Sequence, residues 1–257
     1  MREALGDAFV GLYPLGSLAI GDFDLTSDVD FLVVTTDELK ADDVARVQAA
    51  HLRSRSEDTR WMRRLEYSFI SLSRLHAESS PYLADGRRNA APDRGLWYFE
   101  NGSDSIQRSD HDNSLVSRWT LRYRSHAVLG PEPAAFAPAI TADALRREIR
   151  GSLIGWHELV LADASPFENR FHQVFLVLND CRALQDLHEG RITSKKEGAH
   201  WGREHLDAEW RPLIDYCWEQ RRDPGIHVSQ PADPAAWART IDFMAYSATL
   251  AEAYRVA

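Results

Sequence analysis

The sequence has few of the features that mark disulfide-stabilised, membrane-spanning or secreted proteins. Its 257 residues include only two cysteines, Cys181 and Cys217, too few for a disulfide framework or a zinc site. Both lie in apolar helical patterns and are predicted to be buried thiols. No apolar run approaches the roughly 20 residues that span a bilayer, and the N-terminus lacks the basic and apolar regions of a signal peptide. We therefore expect a cytoplasmic protein that does not enter a membrane.

Positive charge is the second shortage. Lysine and arginine number 30 against 39 aspartates and glutamates, so the net charge is −9. Because binding to nucleic acid depends on a positive face that releases counterions, this balance predicts no nucleic-acid partner. A small cationic substrate suits an acidic chain better. The remaining composition, 44% hydrophobic and 27% charged, is ordinary for a globular protein of one large or two small domains.

Short apolar runs alternate with a helix-like stretch in the first half of the chain. The strand-like runs are residues 9–15, 30–35 and 65–72, and a helical pattern covers 41–53. Strands that alternate with helices indicate an α/β or α+β arrangement. Prolines and alanines then concentrate in GPEPAAFAPAITAD, which is typical of a domain junction. We predict two domains, 1–135 and 136–257.

The second half of the chain has a helical period. Apolar residues recur three or four positions apart over 145–160 and 167–181. Ser194 and Glu197 have the spacing of a capping box, and Pro234 suits the first turn of a last helix. We predict an all-helical bundle of about five helices. The fold class is therefore α+β, with an N-terminal α/β domain followed by an all-α bundle.

Two acids open the second apolar run. Asp28 and Asp30 lie two residues apart in SDVDFLVV, and side chains at that spacing on a strand point to the same face. Two carboxylates that share one space repel each other unless a cation joins them. Magnesium takes a few carboxylates together with phosphate oxygens. The pair therefore predicts a site for a metal–triphosphate complex, although a lone Asp-x-Asp is more often a solvated turn.

Small and hydroxyl-bearing residues precede this acid pair. Gly16 would let the backbone approach a phosphate closely, and the hydroxyl of Ser17 can donate to its oxygens. Ser27 offers a second hydroxyl immediately before the acids. In isolation a Gly-Ser pair is a turn; followed by Ser-Asp-x-Asp and a hydrophobic strand, it predicts a phosphate-binding loop.

Glu66 is the acid of the third apolar run. Strand alternation puts it on the face opposite Leu65 and Tyr67, where it could take a proton from an attacking hydroxyl. The alternative is a surface ion pair with Arg63 or Arg64. A further acidic stretch, DHD at 110–112, is interpreted as a solvated turn, because three consecutive residues seldom converge on one ion.

In this combination of motifs the chain resembles the polymerase-β nucleotidyltransferase superfamily. Its helical half is similar to the C-terminal domain of the aminoglycoside 3″/9 adenylyltransferases. That likeness rests on the residues VLNDCR at 177–182, EGRI at 189–192, SK at 194–195 and Trp201, with HAVLGP at 126–131 leading into the domain. It spans most of the chain in the family's order, and outside the motifs it is loose.

The resemblance implies a function and a set of roles. It implies transfer of a nucleoside monophosphate from a triphosphate such as ATP to a hydroxyl of a small molecule, with Mg²⁺, in a cleft between the two domains. Asp28 and Asp30 would bind the metal, and Glu66 would be the catalytic base. Gly16, Ser17, Ser27 and Lys195 would bind the nucleotide. Lys195 also follows the Ser194 cap at a helix N-terminus, which favours anionic oxygens.

The sequence departs from the family at two places. Only residues 1–8 precede the first strand, so either the family's first helix is shortened or the natural start lies upstream. Streptomycin-modifying members hold the drug with a tryptophan and aspartates before the VLxxxR helix, and 162–169 here reads ADASPFEN, without tryptophan. Streptomycin is therefore not the expected acceptor, whereas another amino sugar could be.

Two other functions remain open at this stage. A toxin–antitoxin component that combines a minimal nucleotidyltransferase with a helical HEPN ribonuclease would need an Arg-x5-His motif, and Arg182 and His188 have that spacing. A binding protein without catalytic activity is the third alternative, although every expected acid is present. The acceptor, the nucleotide preference and the oligomeric state do not follow from the sequence.

Overall fold

The computed structural model describes residues 1–57, 59–77 and 95–255. Within them the chain forms two compact units, which separate between Ile140 and Thr141. The architecture is α+β, as predicted: the first unit contains a sheet, and the second is helical. The domain boundary at 135/136 stays a prediction.

The described residues of the first unit form one five-stranded sheet in the order β1-β2-β3-β4-β5. Strands β2 and β3 are parallel, and the other neighbours are antiparallel. A parallel pair needs a crossover, which the helix α3 provides between β2 and β3. The strands are β1 Phe9–Pro14, β2 Val29–Thr35, β3 Leu65–Ser71, β4 Leu96–Phe99 and β5 Ile106–Ser109.

Helices cover both faces of this sheet. Because successive strand residues point to opposite faces, β2 divides its apolar side chains between two cores: Leu32 and Val34 pack with Leu121, whereas Val33 packs with Val47. The helices of this unit are α1 Arg2–Leu5, α2 Gly16–Ile20, α3 Ala41–Arg55, α4 Leu72–His76 and α5 Leu115–Tyr123.

The structure confirms the three predicted strands and the predicted helix α3 to within two residues at each end. It adds β4, β5 and α5, which the sequence analysis did not identify. Both added strands are only four residues long, and a short run shows too little alternation to be distinguished from a loop.

The second unit contains five α-helices among its described residues, as predicted. They are α6 Ala142–Ala162, α7 Arg170–Glu189, α8 Lys195–His205, α9 Arg211–Arg221 and α10 Pro234–Ala253. The capping box is present: the Ser194 hydroxyl accepts from the amide of Glu197, and the Glu197 carboxylate accepts from the amide of Ser194. The last helix begins at Pro234, with Asp233 as its N-cap.

Close packing of α7 on α8 is the main feature of this bundle. A Cβ at Gly198 would lie 2.5 Å from the Cα of Arg182, so only glycine allows the two helices to approach so closely. Cys181 and Cys217 are free, fully buried thiols, which confirms that prediction. Across the described ranges, no helix combines the length and the apolar character required to cross a bilayer.

Candidate active site

The pairing of β2 with β3 brings the predicted metal ligand and the predicted base together. Asp30 and Glu66 are directly opposite each other in this parallel pair. Directly paired residues project to the same face of a sheet, so both carboxylates lie on the face that also carries Leu32 and Ile70. Glu66 is well covered, since 14% of its side chain is exposed. The convergence expected from strand alternation is therefore present.

Asp28 completes a group of three acids. It lies one residue before β2, and its Oδ1 accepts a hydrogen bond of 2.5 Å from Nδ2 of Asn101 in the turn after β4. Its charge raises the pKa of both Asp30 and Glu66. The three carboxylates thus act on one another electrostatically, as like charges grouped in one space do.

Gly16 gives the Asp30 carboxylate room against the first turn of α2. The amide of Leu15 donates to the carbonyl of Asp30 at 2.8 Å, which fixes the backbone of the two segments side by side. Gly16 has φ +51°, and a Cβ there would lie 2.0 Å from Oδ2 of Asp30. Any other residue would be strained and would displace the acid. Ser17 follows in the same turn, half-buried.

Ser27 shapes the loop that presents Asp28. Its hydroxyl donates to Oδ1 of Asp24 at 3.1 Å and accepts from the amide of Asp24 at 3.0 Å. The carbonyl of Ser27 accepts from Nη1 of Arg64 at 3.3 Å. These contacts hold Ser27, which is 5% exposed, inside the loop. Its predicted contact with a triphosphate stays a prediction.

The electrostatics of the group favour a cation. Burial, and then the charges of Glu66, Asp28 and Asp112, raise the pKa of Asp30 to about 7, against a lowering by His111. Burial also raises the pKa of Glu66. Carboxylates that repel one another in a partly dry site are a donor set that suits a hard divalent ion.

The protein alone does not supply a full coordination sphere in the part that the structure describes. No group of three or more His, Cys, Asp or Glu side chains is arranged to hold a metal ion there. Magnesium usually completes its shell with water and substrate phosphates and needs only one or two carboxylates from the protein. Asp28 and Asp30 therefore fit an ion that binds together with a triphosphate.

The DHD stretch at 110–112 forms a turn with an exposed His111, as interpreted, but its side chains also contact this site. Nε2 of His111 is 3.1 Å from Oε1 of Glu66. The hydroxyl of Ser68, two residues beyond Glu66 on the same strand face, donates to Oδ2 of Asp112 at 2.6 Å. His111 and Asp112 are therefore neighbours of the acid group that the sequence did not predict.

These residues were missed because the strands that deliver them were missed. The β4–β5 hairpin runs along β3, β5 ends with Ser109 opposite Leu96, and the turn that follows brings His111 back over the face of the sheet to Glu66. The hydroxyl of Tyr98 on β4 also hydrogen-bonds to Glu66. An available signal was Ser68, which lies between Glu66 and Ile70 on one face of β3 and is completely buried, since a buried hydroxyl requires a partner.

The contacts of Glu66 differ from the surface alternative. Its carboxylate contacts His111 and Tyr98, beside Asp30. Arg64, proposed as a surface partner, donates instead to the carbonyl of Ser27. The position of Glu66 is thus the one expected of a base that faces the acid pair.

The helical unit contains the remaining predicted residue, Lys195. It is the first residue of α8, and its Nζ lies 4.9 Å from the ring centroid of Phe175 on α7. The ring face attracts the ammonium. Contact with a nucleotide stays a prediction for this lysine.

The ribonuclease alternative finds no support at Arg182 and His188. Nη2 of Arg182 donates to Oδ1 of Asn179 at 2.7 Å, and the charge of Arg182 lowers the pKa of the buried Asp186, which burial raises overall. His188 is exposed, with its ring centroid 5.8 Å from that of Trp201. Arg182 therefore serves the interior of the bundle.

Comparisons with known proteins agree with this fold. Residues 138–245 match the family "Aminoglycoside adenylyltransferase, C-terminal domain". The chain is 28% identical over 222 residues to a spectinomycin 9-adenylyltransferase of Staphylococcus aureus strain Mu50, covering 84% of this chain and 78% of that protein. The protein of the same name in strain N315 matches equally.

A solved structure shares the fold. It is the crystal structure of spectinomycin adenyltransferase AAD(9) from Enterococcus faecialis with ATP and spectinomycin, similar with a TM-score of 0.69. The match covers 98% of this chain and 94% of that one at 14% identity. A sheet-containing unit followed by a helical unit is therefore an arrangement that this chain shares with a protein that has been crystallised.

Proposed function

Since this chain is an aminoglycoside adenylyltransferase-like nucleotidyltransferase, we propose that it transfers the adenylyl group of ATP to a hydroxyl of an aminoglycoside-type antibiotic. The observation that carries the proposal is the opposition of Asp30 and Glu66 across β2 and β3, with Asp28 beside them. That arrangement would put a metal ligand and a base within one small space on a rigid sheet.

Magnesium is part of the proposal. Asp28 and Asp30 would hold it, and the bound ion would neutralise triphosphate charge and orient the phosphates. Gly16 lets the Asp30 carboxylate lie directly against the backbone of this turn, so phosphates bound to an ion at Asp30 would lie beside residues 16–18. Ser17 would donate its hydroxyl to a phosphate oxygen, and Ser27 would hold the loop and add a second contact.

Glu66 would carry out the proton transfer. The acceptor hydroxyl oxygen forms a bond to the α-phosphorus of ATP, the bond from that phosphorus to the bridging oxygen of the β-phosphate breaks, and pyrophosphate leaves. The hydroxyl proton passes to the Glu66 carboxylate. Burial raises the pKa of Glu66, which strengthens it as a base relative to an ordinary carboxylate.

Lys195 would bind the nucleotide from the helical unit, as the family resemblance implies. Lys195→Gln should raise the KM for ATP and leave the free energy of unfolding nearly unchanged. Lys196→Gln, at an exposed neighbouring position, is the matched control for loss of one positive charge. An equal effect of both variants on KM would assign Lys195 to a general electrostatic role.

Spectinomycin is the first acceptor to test. The curated relatives are named spectinomycin 9-adenylyltransferases, and the segment 162–169 lacks the tryptophan expected of streptomycin-modifying members. The net charge of −9 suits a cationic drug. Adenylylation of such a drug would confer antibiotic resistance on its host.

The deciding experiment is incubation of the purified protein with Mg²⁺, ATP and a panel that includes spectinomycin and streptomycin. Mass spectrometry should show one drug heavier by one adenylyl group, together with released pyrophosphate. Asp30→Asn, processed in parallel, controls for contaminating transferases. A panel on which no drug is modified, by a folded protein that binds ATP, would contradict the proposal.

A further inference from the structure

Glu66 is held by partners that come from outside its own strand. Nε2 of His111 is 3.1 Å from its Oε1, and the hydroxyl of Tyr98 hydrogen-bonds to the same carboxylate. Two donors from different segments fix the plane of a carboxylate more closely than one. A carboxylate has about four lone-pair positions, so about two remain beside these donors, and one of them can accept the proton of a substrate hydroxyl.

His111 is itself held in place. Its ring stacks on that of Tyr98, with centroids 5.7 Å apart and planes 28° apart. The next residue, Asp112, accepts the hydrogen bond from Ser68, which is completely buried on β3. The imidazole is therefore fixed on the face of the sheet although 60% of its side chain remains exposed.

This exposure argues against a role in folding. A side chain that is mostly in water contributes little by burial, and a surface ion pair contributes about 0–1 kcal/mol. A hydrogen bond that orients a base matters more for the reaction, because small errors in the position of a reacting group reduce the rate strongly.

We propose that His111 is a positioning residue for Glu66, and that the Tyr98 ring and the Ser68–Asp112 hydrogen bond are what hold its imidazole there. This inference rests on the proposed function, since it assigns a role within the same transfer reaction. The imidazole donates its Nε2 proton to Oε1 and turns the carboxylate towards the acceptor hydroxyl. It takes no proton from the substrate.

Steady-state kinetics of His111→Ala provide the first test. We expect kcat to fall by about 10–100-fold, the range typical for outer partners that orient an active-site group. The KM for ATP and the Tm should stay close to those of the wild type. The amide of His111→Gln can donate from nearly the same place as Nε2, so this variant should regain most of the lost kcat.

The matched control is His76→Ala. His76 is also an exposed histidine of the first unit, and its ring contacts the carbonyls of Leu72 and Phe136. It lies outside the site, so this variant should keep the wild-type kcat. A loss of kcat in His76→Ala equal to that in His111→Ala would overturn the proposal, because it would show a general effect on the fold.

A double-mutant cycle with Glu66→Gln distinguishes positioning from an independent contribution. If His111 acts through Glu66, His111→Ala should cause no further loss of kcat in the Glu66→Gln background. Additive losses, or an unchanged kcat in His111→Ala, would overturn the inference. A wild-type protein that modifies no drug would instead contradict the proposed function.

The imidazole nitrogen resonances of the substrate-free protein provide a readout that does not depend on turnover. The Nε2 signal of His111 should shift in Glu66→Gln and stay in place in Glu57→Gln, a change of an exposed acid after α3. An Nε2 signal that is insensitive to Glu66→Gln would show that the hydrogen bond is absent in solution and would overturn the proposal.

Discussion

Asp30, half-buried in the sheet unit, and Asp186, buried in the helical unit, both have pKa values raised to about 7 by the loss of solvent, but the neighbouring groups shift the two pKa values in opposite directions. Around Asp30 the acids Glu66, Asp28 and Asp112 raise the pKa further. Around Asp186 the neighbours lower it: Arg182, and Thr193, whose amide and hydroxyl donate at 2.7 and 2.5 Å.

The difference shows how a structural acid can be distinguished from a functional one. The free-energy cost of removing the Asp186 carboxylate from water is offset by hydrogen bonds and by a nearby opposite charge. Asp30 is surrounded by like charges, an arrangement that costs stability and persists at sites where a ligand supplies the missing charge. Substitutions in the two clusters should therefore have opposite effects on stability.

The largest effect on activity is expected from Asp30→Asn. The variant should lose transfer to below detection, since a metal ligand is removed, yet it should unfold at a higher temperature than the wild type in the absence of metal. Each kcal/mol of relieved repulsion corresponds to roughly 2–4 °C in a chain of this size. Calorimetry measures the Tm, and the drug-modification assay measures the transfer activity. A Tm below that of the wild type would contradict the claim that like charges around Asp30 destabilise the fold.

Glu66→Gln should reduce kcat by about 10²–10⁴-fold, the usual cost of losing a general base. Affinity for Mg²⁺ and nucleotide should be largely kept, because Glu66 is assigned to the proton and not to the metal. Titration of a non-hydrolysable ATP analogue measures the affinity. A large loss of nucleotide binding would make Glu66 a third metal ligand instead.

Asp186→Ala tests the structural side of the comparison. It leaves the amide and hydroxyl of Thr193 as buried donors without their acceptor, at about 1–3 kcal/mol for each unsatisfied group. Denaturant unfolding should show the helical unit destabilised by a sum in that range. The control is Asp163→Ala, at an exposed position before α7, which should be nearly neutral. Equal stability of the two variants would refute the assigned role of Asp186.

The smallest expected effect is on the pH dependence of stability, and it comes from His51. This residue is a buried titratable group of the sheet unit that lies outside the site. Its ring nitrogens contact the Tyr67 hydroxyl at 2.9 Å and the Ser103 carbonyl at 3.0 Å, and burial lowers its pKa from 6.5. The unfolded state therefore binds more protons just below pH 6.5, so stability should fall as the pH decreases through that value.

The pH dependence of unfolding measures this effect. The slope attributable to His51 is at most about 1.4 kcal/mol per pH unit, and His51→Gln should abolish it. His200→Gln, at an exposed position of α8, should leave the slope unchanged. A slope that is the same in all three proteins would show that His51 does not titrate with unfolding.

Sequence patterns that extend over only a few residues were sufficient to predict many of the strands and helices of this protein. Strand alternation correctly predicted that Glu66 faces the acid pair, and the Ser194–Glu197 spacing correctly predicted the start of α8. Both follow from geometry within a few residues. The helical period of the second half likewise depends only on contacts one turn apart.

The residues that contact Glu66 could not be predicted from such local patterns. Tyr98 and His111 lie far along the chain from Glu66. They reach it only because β4 pairs with β3 and the turn after β5 comes back over the face of β3 that carries Glu66. No local period encodes such a pairing, which depends on the burial of whole strand faces.

By itself, then, the sequence determined where the strands and helices that carry the acids lie, that Asp30 and Glu66 share a face, and that the second half is a helical bundle. Only the tertiary structure decided which side chains surround these acids. His111 and Asp112 became part of the site, and Ser27 became part of its loop. The reason is physical: side-chain direction along one element is set by local backbone geometry, whereas the neighbours of a carboxylate are set by non-local packing.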